Sequence, residues 1–389
     1  MYQVKTFNAI ANSGLETFSD DFKINQSENP DAYLIRSVNL LEAKFPESLK
    51  TIVRCGAGYN NVPLERATEK GIAVFNTPGS NANAVKELII SLMVATARNL
   101  FAANDYSNKH TEADVSQRTE KDKTKFNGTE LTGKRLAVIG LGNVGSRVAN
   151  AATALGMKVV GYDPHLTSSA AWRIDNQVER AGSIRRAVKN ADFVTVHVPK
   201  NEETTGLIST TEITAMKDNV VLFNYSRIGI TDNKAVVEGI DAGKIGHYCT
   251  DFGEPIIADH KNITITPHIG GSTLEAESNG AVQGANTVMN YLESGDTTNS
   301  VNLPNMKVPF EAPYRVTVIH QNVPNMVGQI ATQMANRNIN IENMANAAKG
   351  GVAYTIADVN SIDGENGKNL IDALYEIKEV HRVRIISHR

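Results

Sequence analysis

The sequence predicts an α/β protein: two successive stretches of alternating strand and helix, then a terminal unit with a different rhythm. Three observations carry that expectation. Short β-rich runs recur between helical segments before residue 98 and again after residue 134. A glycine-rich turn, GLGNVG at Gly140 to Gly145, joins one such run to a helix. From residue 314 the order becomes strand, helix, two strands around a KGG turn, helix, strand, the βαββαβ pattern of a ferredoxin-like unit.

In chain order, the first runs are VKTF (4 to 7), AYLIR (32 to 36), TIVRCG (51 to 56) and IAVFN (72 to 76). AVKELIISLMVATAR (84 to 98) has helical length and an apolar face. Residues 99 to 133 turn polar and charged, as a surface helix and loop would between two domains. The second series opens with RLAVIG (135 to 140) and the helix SRVANAATALG (146 to 156). It continues through KVVGYD (158 to 163), DFVTVHVP (192 to 199), NVVLFNYS (219 to 226), HYCTDF (247 to 252) and ITITPH (263 to 268). This is the alternation of a doubly wound sheet. A long helix is expected over 274 to 292, and GDTTNSVNLPN (295 to 305) reads as a turn-rich linker. The last segment places strands at 314 to 320, 339 to 348, 352 to 361 and 380 to 386, with helices at 325 to 337 and 368 to 378.

Composition narrows the class. A chain of 389 residues exceeds one core and suggests two or three domains. The formal net charge of −3 argues against a nucleic-acid-binding protein. Two cysteines, Cys55 and Cys249, stand in no metal-ligand spacing. They suggest reduced thiols, a cytoplasmic setting and no metal centre. The N-terminus lacks a basic start followed by an apolar block, so no secretion signal is read there. The longest apolar run, Leu88 to Ala97, falls short of the roughly 20 residues that cross a bilayer.

GLGNVG meets the context a dinucleotide site requires. A strand precedes it, a helix follows, and Asp163 ends the next strand, 18 residues past Gly145. Gly140 permits the tight turn, Gly142 lets the backbone approach a pyrophosphate, and Gly145 lets the helix pack on the sheet. Asn143 and Val144 complete the turn, whose N–H groups face the phosphates. Asp163 suits a free ribose hydroxyl and repels a 2′-phosphate, which favours NAD over NADP.

Three polar residues follow strand ends in the second half of that series: Arg227 in NYSRIGI, Glu254 in TDFGEP and His268 in TPHIGGS. Oxidising an alcohol needs a base for the hydroxyl proton, and histidine titrates near neutrality. A carboxylate orients the imidazole, and an arginine grips an α-carboxylate with two parallel hydrogen bonds.

The stretches VRCGAGYNNVP, VFNTPGSNANAVKE, LAVIGLGNVG, VTVHVPKNEETTGLI, NYSRIGITD and ITPHIGGST, in this order, resemble the D-isomer-specific 2-hydroxyacid dehydrogenases over most of residues 50 to 305. The resemblance implies that Arg227, Glu254 and His268 form the catalytic set, with Asp251 competing with Glu254 as the partner of His268. It implies that His197, Pro199, Tyr225, Ser226, Asp251 and Gly270 line the cofactor pocket. It also implies the domain plan: a flavodoxin-like substrate domain, residues 1–98 and 275–303, interrupted by a Rossmann nucleotide domain, 99–274. One departure stands beside the arginine, where Ile228 replaces the family's glycine. A β-branched residue there restricts the backbone.

Arg54 resembles the arginine that meets the substrate phosphate in the phosphoglycerate dehydrogenase branch, with Asn81 as a further donor and Asn60 and Lys86 on neighbouring segments. That branch implies 3-phosphoglycerate and 3-phosphohydroxypyruvate as the substrate pair and a homodimer or homotetramer. Residues 313–389 resemble an ACT domain, a small-ligand sensor. His320, Asn322 and Asn340 match its L-serine ligands, and Asn325 stands where that motif has glycine. A structural dimerisation module is the competing reading of this unit. An unphosphorylated hydroxyacid as substrate, or a non-catalytic NAD sensor, are the competing readings of the whole.

Overall fold

The computed structural model describes residues 1–388 and divides into two compact units, Met1–Asn81 with Leu274–Arg389, and Ala82–Thr273. The first unit opens with β1 (Tyr2–Thr6), β2 (Phe22–Ile24), β3 (Ala32–Ile35), β4 (Thr51–Arg54) and β5 (Ala73–Asn76). They form a parallel sheet in the order β2-β1-β3-β4-β5, the flavodoxin-like order. Its strands are apolar on both faces because both faces are covered. Leu34, Val53 and Phe75 face one core, and Ile35, Ile52 and Val74 face the other. The helix Leu274–Ser294 lies on the first face. A methyl group on Gly284 would stand 2.9 Å from Cys55 Sγ and from Leu34 Cδ1, so the helix packs this closely only with glycine there.

The second unit holds β6 (Arg135–Ile139), β7 (Lys158–Tyr162), β8 (Glu179–Arg180), β9 (Phe193–Val196), β10 (Val220–Asn224), β11 (Ile245–Thr250) and β12 (Ile263–Ile265). All pair in parallel, in the order β12-β11-β10-β9-β6-β7-β8. The order reverses between β6 and β9, which is where a doubly wound sheet opens its ligand crevice. The helix Ala82–Ala97 belongs to this unit and packs Val85, Ile89 and Met93 against Leu136 and Val148. The polar stretch after it forms two helices, Leu100–Asn108 and Val115–Asp122, neither with a buried residue.

The first unit closes with β13 (Tyr314–Gln321), β14 (Ile341–Lys349), β15 (Val352–Val359) and β16 (Val380–Ser387), antiparallel in the order β14-β15-β13-β16. The expected βαββαβ unit is present. Helices Met326–Ala335 and Gly364–Tyr375 cover one face through Ile330, Met334, Leu370 and Leu374. The other face is largely covered as well. Ile319, Tyr354 and Ile356 join the same core as Leu34, Phe75, Val288 and Tyr291.

Three arginines fasten this sheet to the long helix and its surroundings. Arg315 is 1% exposed and uses all five donors. Its Nε and Nη2 bind the Asp358 carboxylate at 2.6 and 2.8 Å, and its remaining bonds reach Ser294 O, Val308 O and Pro309 O. Arg384 lies 4.6 Å over the Tyr291 ring and donates to Tyr291 O and Leu292 O. These carbonyls belong to the last turn of the long helix, at the negative end of its dipole, and also accept from Gly295 N and from the Tyr2 hydroxyl. Arg382 donates to Lys70 O and Glu47 O.

Most of the expected strands appear within about three residues of their expected ends. Two strands escape a sequence reading: β2 has three residues between acidic and amide turns, and β8 is two exposed charged residues. Substituting Asp358→Ala leaves the Arg315 guanidinium buried without its counter-ion. That change is expected to cost about 3–5 kcal/mol in a urea unfolding curve, and the double variant Arg315→Met, Asp358→Leu distinctly less.

Candidate active site

In the second unit, the turn after β6 shows why each glycine is needed. Gly140 has φ +88°, and a Cβ there would lie 2.5 Å from His197 O. A Cβ on Gly145 would lie 1.9 Å from Gly140 O. Gly142 has no neighbouring atom within 4 Å of its Cβ position, so the turn is open where a phosphate would approach. The helix Gly145–Ala154 follows, and Val144 at its start offers no side-chain cap, which leaves first-turn N–H groups for an anion. Asp163 stands beside this turn: its Oδ2 accepts from Leu141 N and its Oδ1 from His165 N, both at 2.8 Å. These residues fit a dinucleotide.

Around the ends of β9, β10 and β11 the expected pocket residues come together. His197 Nε2 pairs with Thr195 Oγ1 at 2.9 Å, and burial pushes its pKa down to about 3, so the ring is neutral at physiological pH. Ser226 Oγ donates to Val196 O at 2.5 Å. Tyr225 is buried, its phenol accepts from Thr266 Oγ1, and its pKa is raised by burial. Pro199 is exposed at the loop after β9.

Arg227 is exposed, with Nη1 donating to Ser226 O at 2.7 Å. The two polypeptide arms of its loop are held by Asn224, whose Nδ2 donates to Arg227 O and Thr231 Oγ1. Ile228 does not distort this loop. The left-handed conformation falls on Gly229, at φ +80°, and the Ile228 side chain is exposed. The backbone thus needs glycine at one position of the pair only.

His268 takes φ +49°, an uncommon conformation for a non-glycine residue. Its N–H donates to Thr266 O, and its ring meets the Phe252 ring edge-on at 5.0 Å. Among the described residues no hydrogen bond joins it to Glu254. Glu254 Oε2 instead accepts from Asn233 Nδ2. The carboxylate that feels the His268 charge is Asp251. It is buried, accepts from Gly270 N at 3.3 Å, and leaves Oδ1 without a partner. Burial raises its pKa, and the charges of His268 and Arg227 pull it back down.

In the first unit, Arg54 ends β4 and its Nε donates to Arg36 O at 3.1 Å. A Cβ on Gly56, which has φ +137°, would lie 2.6 Å from Arg54 Nη1, so the glycine makes room for the guanidinium. Arg36 was not singled out from the sequence. It follows β3, beside Arg54 on the neighbouring strand, and pairs with Glu277 at 2.5 Å. The signal was present in the parallel endings AYLIR and TIVR. Cys55 lies near both arginines, yet burial pushes its thiol up to about 12. Asn81 is the last residue before the helix Ala82–Ala97.

In the terminal sheet His320 is 2% exposed. Its Nδ1 meets Gln321 O at 2.8 Å and its Nε2 meets Thr355 Oγ1 at 2.9 Å, so both ring nitrogens are engaged within the sheet. Asn322 and Asn340 are exposed, bonded to Gly350 O and Glu342 Oε1. Asn325 adopts φ +67°, and a Cβ on Gly328 would stand 2.5 Å from its Oδ1. Glycine at 328 therefore leaves space for the amide that replaces glycine at 325. Among the described residues no cluster of His, Cys, Asp and Glu is arranged to hold a metal ion, and no helix is long and apolar enough to cross a membrane.

Residues 90–270 match the family model described as D-isomer specific 2-hydroxyacid dehydrogenase, NAD binding domain. Among curated relatives, D-3-phosphoglycerate dehydrogenase 1 of Saccharomyces cerevisiae is 31% identical over 93% of this chain and 80% of its own length. The D-3-phosphoglycerate dehydrogenase of Methanocaldococcus jannaschii is 36% identical over 76% of this chain and 55% of its own length. The chain thus spans about four fifths of the yeast relative and about half of the archaeal one. The NAD+-bound 3-phosphoglycerate dehydrogenase of Entamoeba histolytica matches 77% of this chain and 98% of its own, with TM-score 0.60 and 23% identity. The holo D-mandelate dehydrogenase of Rhodotorula graminis matches 79% of this chain and 99% of its own, with TM-score 0.64 and 20% identity. With its open glycine turn, its sheet order and these relatives, the chain belongs to the D-isomer-specific 2-hydroxyacid dehydrogenases and is an NAD-dependent dehydrogenase.

Proposed function

We propose that the protein oxidises 3-phospho-D-glycerate to 3-phosphohydroxypyruvate, the step that opens L-serine biosynthesis. The observation that carries the substrate choice is the Arg54 guanidinium at the end of β4, in the room that Gly56 leaves for it. The relatives named D-3-phosphoglycerate dehydrogenase support the same reading. Arg54 takes the phosphate, with Asn81 as a further donor, and Arg227 takes the α-carboxylate through two parallel hydrogen bonds. NAD, bound along Gly140, Gly142, Asn143, Val144 and Gly145 with its ribose at Asp163, supplies the hydride acceptor. His268 accepts the proton of the C2 hydroxyl. Glu254 is the carboxylate assigned to His268, and Asp251 the alternative that the electrostatics of the pocket favour. His197, Pro199, Tyr225, Ser226 and Gly270 shape the nicotinamide pocket, and the neutral His197 adds no charge to it.

The protein works in the cytoplasm as a homodimer or homotetramer, and its terminal unit is an ACT sensor for L-serine. Asn322 and Asn340 are the exposed contacts for that effector. His320, matched to the same ligand set, ties β13 to β15 through Thr355 and acts from inside.

His268→Ala is expected to keep NADH affinity, read by fluorescence titration, and to lose about 10²–10⁴-fold in turnover. Wild-type-like turnover would remove the imidazole from the mechanism. Arg54→Ala is expected to raise KM for 3-phosphohydroxypyruvate far more than for glyoxylate in an NADH absorbance assay; equal effects on both would retire the phosphate role. Calorimetry with L-serine is expected to show binding heat for the wild type and none for Asn340→Ala.

A further inference from the structure

A chain of buried polar groups starts at the Arg227 loop and ends on Glu254. Asn224 closes β10, and its Nδ2 spends both hydrogens, one on Arg227 O at 3.1 Å and one on Thr231 Oγ1 at 3.2 Å. Its Oδ1 accepts from Ser226 N at 3.2 Å. Thr231 Oγ1 donates to Asn233 Oδ1 at 3.4 Å, and the Tyr248 hydroxyl lies 2.7 Å from the same Oγ1. Asn233 Nδ2 then donates to Glu254 Oε2. Asn224, Thr231, Asn233 and Tyr248 are 1%, 3%, 8% and 1% exposed, so the chain lies out of reach of bulk water.

The sense of the chain follows from what each group can give. A hydroxyl has one proton to donate and an ionised carboxylate has none. Thr231 accepts from Asn224 and donates to Asn233, so its remaining lone pair takes the Tyr248 proton. Burial raises the Tyr248 pKa, and the Glu254 charge acts in the same direction, so the phenol keeps that proton to donate. From Asn224 onward every proton points toward Glu254. Only an acceptor can end such a series, and the carboxylate is one.

The members stand on held elements. Asp232 caps the helix Asn233–Asp241 by accepting from Lys234 N and Ala235 N, which sets Asn233 at the helix start. Tyr248 pairs with Leu222 between β11 and β10. Glu254 O accepts from Ile257 N and Ala258 N, so the glutamate opens a turn of its own. One amide thus fixes this carboxylate against the loop that carries the arginine.

We propose that Asn233 is a positioning residue for the hydroxyacid reaction, holding the Glu254 carboxylate in place against the Arg227 loop through Thr231 and Asn224. The proposal rests on the assignment of Arg227 and Glu254 to the reacting set and adds the side chains that link them. Asn233 acts through those two residues.

The test is the reduction of 3-phosphohydroxypyruvate and of glyoxylate by NADH, with the full-length protein, from mildly acidic to mildly alkaline pH. Asn233→Asp sets two carboxylates face to face. An aspartate in the first turn suits the helix dipole, so the fold is kept. The like charge makes the pair hold a shared proton at low pH and lose it as pH rises. The kcat/KM of the variant, divided by that of the wild type, is expected to fall about three- to tenfold as pH rises, the scale of one hydrogen bond. A flat ratio overturns the proposal. Thr231→Val breaks the link between Asn224 and Asn233. It is expected to raise KM for the hydroxyacid by about three- to tenfold, with NADH affinity by fluorescence titration as in the wild type, and Thr231→Ser to restore KM. The proposal is also overturned if the valine and serine variants share one KM, or if Thr231→Val weakens NADH and the hydroxyacid alike. A wild type that reduces glyoxylate and not the phosphorylated acid would retire the substrate assignment, while the variant ratios read on glyoxylate still decide the role of Asn233.

Discussion

At Gly145 there is no room for a side chain: a Cβ would fall 1.9 Å from the carbonyl oxygen of Gly140. That contact lets the helix after β6 start directly against the end of the strand, with its N–H groups turned toward the crevice. Gly140 meets a similar limit against His197 O, which comes from the next parallel strand. Two backbone contacts thus hold the phosphate turn, the first helix and the loop after β9 in one arrangement. Asp163 is drawn into the same arrangement by its bond to Leu141 N. The dinucleotide site is built mainly from main chain, so its geometry depends on the absence of side chains more than on their identity.

The reacting residues depend on that frame in a different way. Arg227, Asp251 and His268 stand on loops after consecutive strands, and each loop is held by its own local bonds. Asn224 braces the arginine loop, and Gly270 ties the histidine segment to Asp251. The buried carboxylate is the point of tension. Burial favours its neutral form, and the neighbouring cations favour the charged one.

Much of this was legible in the residues. Glycines at three spacings, an aspartate at the next strand end and apolar runs of strand length each have one physical reading, and the structure has them in place. The Ile228 departure was harder. A sequence shows that glycine is missing beside Arg227, but not which of the two adjacent positions carries the left-handed backbone; Gly229 does. The partner of Glu254 was not legible either, because Asn233 lies on a helix 21 residues earlier and its bond depends on packing. For His320, a match to a ligand motif gave no sign that both ring nitrogens are spent inside the sheet. Strands β2 and β8 lack any periodic signal, being too short to alternate. The largest omission was the second face of the terminal sheet. Alternation marks a face as apolar without saying what covers it.

That covered face bears on how the chain acquires its structure. One continuous core contains Val4 from the first strand and Ile356 from the fifteenth. No ribosome-bound nascent chain lacking the final strands can complete it. The early parallel sheet must wait, with Leu34, Phe75 and Tyr291 incompletely covered, until β13, β15 and β16 emerge and Arg315 and Arg384 reach the end of the long helix. The antiparallel sheet completes this core only after the parallel sheet has formed.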